Sequence, residues 1–190
     1  MKIKLNGAAG EFESGKSGFE LGMELAPEQT RQALACEIDG KVCEMTTTVT
    51  TDADISLLTF EDDAGKKVFW HTASHVLAQA VCHLFPNVKL AIGPATDNGF
   101  YYDFDVETPF SAEDLTKITA EMKKIVKSRV RLERKEVSPE EAREIMKDQP
   151  YKLELIDEHA GKGENISLYT QGDFTDLCAG PHLFDVSKIK

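Results

Sequence analysis

A break in pattern constrains this chain more than any other feature. The run Glu61-Asp62-Asp63-Ala64-Gly65-Lys66-Lys67 is polar, charged and contains glycine, and the apolar periodicity differs on its two sides. Short alternating segments precede it; longer helical stripes follow it. The chain has 190 residues and is 41% hydrophobic, enough for one or two compact domains with cores of their own. The break predicts two domains, residues 1–61 and residues 62–190.

In the first part KIKL reads as a strand, Asn6-Gly7 as a turn and GEFES as a second strand. Residues 18–35 hold a helical stretch, best from Pro27 to Ala35, with Pro27 allowed in a first turn. CEIDGKVCE reads as a hairpin about Asp39-Gly40, and ISLLTF at 55–60 as a last buried strand. Two strands, a helix and further strands in about sixty residues suit a ubiquitin-like β-grasp roll.

The second part opens with a helix over 70–84, carrying the stripe Val76, Leu77, Ala80, Val81 and Leu84 and ended by Pro86. VKLAIGPA and GFYYDFDV alternate as a strand pair about Asp97-Asn98-Gly99. Ser111 starts a helix to about 129, acidic in its first turn and basic at its end, as the helix dipole favours. Ser138-Pro139 starts another helix. KLELI at 152–156 reads as a strand, and ISLYTQGDFTDLCAGPH ends in a Gly-Pro turn. The pattern is α+β.

No run of about eighteen apolar residues exists to span a membrane, and the N-terminus lacks the apolar stretch of a signal peptide, so the expected location is cytoplasmic. Cys36, Cys43, Cys82 and Cys178 show no close-set pairing, so reduced thiols are expected, the first three as small apolar residues. The net charge of -11 argues against nucleic acid, but it hides a basic stretch between Lys117 and Lys135 that includes Lys123, Lys124 and Lys127. Such a stretch is equally a solvated helix face.

The sharpest constellation is His71-Thr72-Ala73-Ser74-His75 with Cys178-Ala179-Gly180-Pro181-His182. Residues four apart on a helix share a face, and a tight turn can bring Cys178 and His182 to one point. Four such groups could hold zinc or move protons to and from water near neutral pH. His83 and His159 lack such company and read as surface or helix-end residues. A second motif, Gly10-Glu11-Phe12-Glu13-Ser14-Gly15-Lys16-Ser17, matches the phosphate-loop pattern by letter. Glu11 and Glu13 would repel phosphate, and GFELGMELAP after it is a poor helix start, so no ATP site is expected.

HTASHVLAQAV, AIGPATDNGFYYDFD, YKLELI and DLCAGPH follow one another as in the editing domain of bacterial threonyl-tRNA synthetases, and nearly the whole chain is covered by this resemblance. The HxxxH and CxxxH parts are shared with alanyl-tRNA synthetase editing domains; GPH and NGFYYDF resemble the threonyl branch. The resemblance implies a ubiquitin-like domain over 1–61 and an editing domain over 62–190. The chain would be an N-terminal piece without the ligase and anticodon-binding domains, taken from an enzyme that is homodimeric through those domains. The implied reaction is hydrolysis of serine from mischarged threonine tRNA. The implied site residues are His71, His75, Lys152, Asp176, Cys178 and His182, with Tyr102 at the pocket and Lys123, Lys124 and Lys127 facing tRNA. A histidine and Lys152 are suited to position or activate water, Asp176 to hold an ammonium or orient a histidine, and Cys178 to shape the pocket. The threonyl branch implies no cofactor. Zinc on His71, His75, Cys178 and His182, as in an alanyl-type hydrolase, and a non-catalytic docking module are the alternatives.

Overall fold

The computed structural model describes residues 1–189, and it is an α+β structure. Its contacts divide it into two compact units, Met1–Trp70 with Pro181–Phe184, and His71–Gly180 with the residues from Asp185 onward.

The first unit contains β1 (Lys2–Leu5), β2 (Ala8–Glu11), β3 (Lys16–Ser17), α1 (Gly18–Leu25), α2 (Pro27–Gln32), β4 (Ala35–Ile38), β5 (Lys41–Cys43), β6 (Thr48–Val49) and β7 (Ala53–Leu58). Five strands form one sheet in the order β2-β1-β7-β4-β5, while β3 pairs with β6. β1 and β7 run parallel at its centre; the other neighbours are antiparallel. Both two-residue turns, Asn6-Gly7 and Asp39-Gly40, have positive φ at each position, the conformation whose twist matches a hairpin. Ile3, Leu5, Cys36, Ile55 and Leu57 face one side of the sheet and pack with Leu21, Met45 and Val49.

The helical reading of this unit needs correction. The first helix opens at Gly18, within the stretch expected to start a helix poorly, and the second stops at Gln32, before Ala35 enters β4. Ser17 and Glu20 form a reciprocal capping box that offsets the weak propensity. Gly22 has a packing reason: a Cβ there would lie 2.5 Å from Thr30 Oγ1, so its absence lets α2 lie against α1. The phosphate-loop letters fall on β2, a turn and β3, and Lys16 Nζ is paired with Glu24 at 2.6 Å.

α3 (Asp63–Leu84) starts seven residues earlier than its stripe suggests, and the division between the units falls within it. The second unit continues with β8 (Lys89–Leu90), β9 (Ala95–Thr96), β10 (Gly99–Phe100), β11 (Phe104–Asp105), α4 (Ala112–Ser128), β12 (Leu132–Val137), α5 (Pro139–Ile145), α6 (Pro150–Gly161), β13 (Ile166–Gln171) and β14 (Phe174–Leu177). The strand pair about Asp97-Asn98-Gly99 forms in two pieces, β9 with β10 and β8 with β11, interrupted at Gly93-Pro94. Ser111 and Ser138 cap α4 and α5. β12, β13 and β14 make an antiparallel sheet. Among the described residues of this unit, buried clusters centre on Val76, Val81 and Ile118, and on Ala142, Ile156 and Leu168.

Two expectations change here. KLELI is not a strand; it lies inside α6, where Pro150 takes the first turn and buried Lys152 and Ile156 stand four apart. The basic stretch is not one helix face either: Arg129 caps α4 in the left-handed conformation, and Arg134 and Lys135 lie on β12. Among the described residues no helix is long and apolar enough to cross a membrane.

Candidate active site

Within the second unit, α3, α6, β14 with the residue that follows it, and the β8–β11 segment bring six of the singled-out side chains together. α3 presents His71 and His75 on one face, their rings 5.3 Å apart and nearly perpendicular. Asp176, 1% exposed on β14, is the hub. Its Oδ1 takes the Lys152 ammonium at 2.7 Å and the Leu177 N–H at 2.8 Å; its Oδ2 takes the Tyr102 hydroxyl at 2.6 Å, with His75 Nε2 at 3.8 Å. The Lys152 ammonium also lies 5.5 Å from the centre of the Tyr102 ring. Lys152 and Asp176 are both buried. A lysine is seldom buried alone; here its charge is matched by a carboxylate that two further hydrogen bonds hold in place.

Cys178 and His71 are partly exposed and form the open side of the group. Cys178 Sγ lies 3.1 Å from His71 Nε2 and accepts the Gly180 N–H at 3.3 Å. Burial pushes the His75 pKa down to about 3, against the pull of Asp176, with His71 and Lys152 adding to the depression. His75 is therefore a neutral imidazole at physiological pH. Burial also raises the Tyr102 pKa, and the carboxylate of Asp176 adds to it, so Tyr102 stays a donor.

Several supporting residues carried no signal in the sequence. Ser167 Oγ donates to the Cys178 carbonyl at 2.6 Å while the Cys178 N–H donates to the Ser167 carbonyl at 3.1 Å, which fixes the chain as it leaves β14. Ser74 Oγ donates to the carbonyls of His71 and Gly93, each at 2.8 Å. Gly93 must lack a side chain, because a Cβ would lie 2.1 Å from the Tyr102 ring. Phe104 stacks on that ring at 4.9 Å between centres. Cys82, expected to be an ordinary apolar residue, packs in the core with its thiol raised to about 11 by burial, the Asp176 charge adding to the shift.

His182 is fully buried and belongs to the Pro181–Phe184 segment of the first unit, where its N–H donates to a Glu44 carboxylate oxygen at 3.1 Å. Lys123, Lys124 and Lys127 are exposed on α4, and Lys124 is paired with Glu121 at 2.8 Å. His83 and His159 are in the last turns of α3 and α6, as expected.

His71, His75 and Cys178 each offer a donor atom within 4.8 Å of the others, a set that could hold a metal ion. Tetrahedral zinc seats a sulfur and a nitrogen ligand about 3.6 Å apart. The 3.1 Å Sγ–Nε2 contact is closer than that, and is the length of a direct thiol–imidazole hydrogen bond.

Nearly the whole chain aligns with aminoacyl-tRNA synthetases. It is 51% identical over 187 residues, 97% of its length, to the threonine–tRNA ligase of Caldanaerobacter subterraneus, covering 29% of that protein. It is 50% identical over 95% of its length to the enzyme of Clostridium tetani, covering 28%, and 49% identical over its full length to that of Acetivibrio thermocellus, covering 30%. The chain is a homologue of the threonine–tRNA ligases and spans about three tenths of the length of these curated relatives. No protein-family model matches it.

Proposed function

We propose that this chain carries the proofreading function of a threonine–tRNA ligase, with the second unit hydrolysing the ester of serine mistakenly joined to threonine tRNA. The observation that carries the reading is the polar network, in which a lysine, an aspartate and a tyrosine are buried beneath a partly exposed histidine–cysteine pair. A buried ion pair in the core of a small unit is seldom a source of stability, so a chemical role accounts for it better.

Ester hydrolysis joins a water oxygen to the aminoacyl carbon, breaks the bond to the ribose oxygen and returns a proton to that oxygen. A group must hold or take the water's proton, and donors must meet the oxyanion. His75 is held neutral and buried, which suits orientation rather than proton uptake. Lys152 is fixed on Asp176, which suits positioning. His71, at the open side, is left to handle the water. Cys178 shapes the pocket beside it, and His182, four residues on, stays in the set on the strength of the sequence.

Serine lacks one methyl of threonine, a difference of only about 1–3 kcal/mol in a binding pocket, so a synthetic site discriminates poorly and a second, smaller site is needed. The sheet order of the first unit, with parallel central strands, supports a β-grasp domain, and we assign residues 1–61 to it and 62–190 to the editing domain. Threonine tRNA is the proposed partner, α4 its contact, and the cytoplasm the proposed location.

The test is His71→Ala. Serine release should fall about 100-fold or more, with tRNA binding nearly unchanged. Equal loss of binding and hydrolysis would contradict the assigned role. The proposed reaction uses no metal; a chelator that abolishes hydrolysis by a protein containing stoichiometric zinc would establish the alanyl-type reading instead.

A further inference from the structure

The two helix histidines are half of a longer pattern. His71, His75, Gln79 and His83 recur every fourth residue on α3, and each meets the β13–β14 hairpin. His71 contacts Cys178, and His75 Nε2 lies 3.8 Å from Asp176. Gln79 Nε2 donates to the Gln171 carbonyl at 3.2 Å and to Asp173 Oδ1 at 2.8 Å, while Gln171 Nε2 donates to Gln79 Oε1 at 2.9 Å. His83 Nε2 lies 3.1 Å from the same Asp173 oxygen, and its Nδ1 3.0 Å from Glu121 on α4.

Along the helix these contacts run 71, 75, 79, 83; along the hairpin they run 178, 176, 173. From His71 to His83 a helix rises about 18 Å. From Asp173, in the turn before β14, to Cys178, just past its end, five residues of extended chain advance about 17 Å. The two lengths agree, so all the contacts form together in one alignment. A one-residue slip of the strand would turn Asp176 and Cys178 to its other face, and a one-residue slip of the helix would rotate the histidines by about 100°. Gln79 and Gln171 are 4% and 1% exposed, so their pairing is specified as tightly as core packing.

We propose that Gln79, Gln171 and His83 with Asp173 are positioning residues, which set the register of α3 on β14 and thereby the meeting of His71 with Cys178 and of His75 with Asp176. The activity arm of this inference rests on the hydrolase reading; its geometric arm does not.

The experiment replaces both buried amides, Gln79→Leu with Gln171→Leu, so that neither is left unsatisfied and the fold is retained. Alkylation of Cys178 by iodoacetamide, followed on its own peptide, reports the Cys178–His71 contact whether or not the protein is an editing enzyme. We expect that rate to change several-fold and kcat for serine release to fall about tenfold at nearly constant KM, since sub-ångström placement governs the step. Should the double variant not fold, Asp173→Ala removes the exposed oxygen shared by Gln79 and His83, and should change the alkylation rate and lower kcat two- to threefold. Wild-type Cys178 reactivity in a folded variant overturns the inference. A wild-type protein that releases no serine overturns the hydrolase reading alone, and the alkylation rates still decide this one.

Discussion

Asp176 binds the site together, so its charge is the quantity to perturb. Asp176→Asn keeps the volume but leaves the Lys152 ammonium buried without a counter-ion. Removing one partner of such a pair costs about 3–5 kcal/mol. Urea denaturation should show that loss, and the double variant Lys152→Met/Asp176→Asn should recover most of the stability without recovering hydrolysis. An unchanged midpoint for Asp176→Asn would contradict the network. Gly180 offers a second test: its φ is +75, and a Cβ would lie 2.0 Å from the Tyr169 hydroxyl. Gly180→Ala should destabilise by about 1–3 kcal/mol, read in the same titration. At this scale the spacing of His71 and His75 was legible, because helix periodicity converts sequence separation into a shared face. The depth of Lys152 was not: a lysine reads as exposed until its carboxylate is found, and Asp176 is distant in sequence.

At the scale of elements, the contact of α3 with α4 and the β13–β14 turn depends on pH. Burial opposes the charged form of His83, but its hydrogen bonds to Glu121 and Asp173 outweigh that and raise its pKa above 6.5. Hydrogen bonding lowers Glu121 from 4.5, led by Lys124 and then His83, and Asp173 from 3.8, led by His83 and then Gln79. A raised histidine stabilises fully below 6.5 and loses that contribution as pH rises through its folded value. The lowered carboxylates stabilise above their unfolded values and lose it as pH falls through the folded ones. The clamp is therefore strongest between about 4.5 and 6.5. The difference in melting temperature between wild type and His83→Gln should peak in that window; a difference flat across it would contradict the clamp. The sequence showed His83 as a helix-end residue but not its carboxylates, which come from α4 and from a turn. KLELI misled for a related reason: five residues are too few to separate a period of two from the helical pair Lys152 and Ile156.

At the scale of the whole molecule, turns and caps gave the order of elements, while Gly22 and Thr30 show why the first unit's helices were mislocated: that glycine answers to packing between two elements, which local propensity does not contain. The net charge of -11 is compatible with tRNA binding only if a local basic surface does the work. Lys123→Glu with Lys127→Glu should weaken binding of threonine tRNA and flatten its salt dependence, with kcat for bound substrate retained; filter binding at several salt concentrations measures both. The central claim is tested most directly by single-turnover deacylation of threonine tRNA carrying serine or threonine, at saturating protein. The proofreading account predicts rapid release of serine and a threonine ester that is largely spared. Equal rates for the two esters would contradict it.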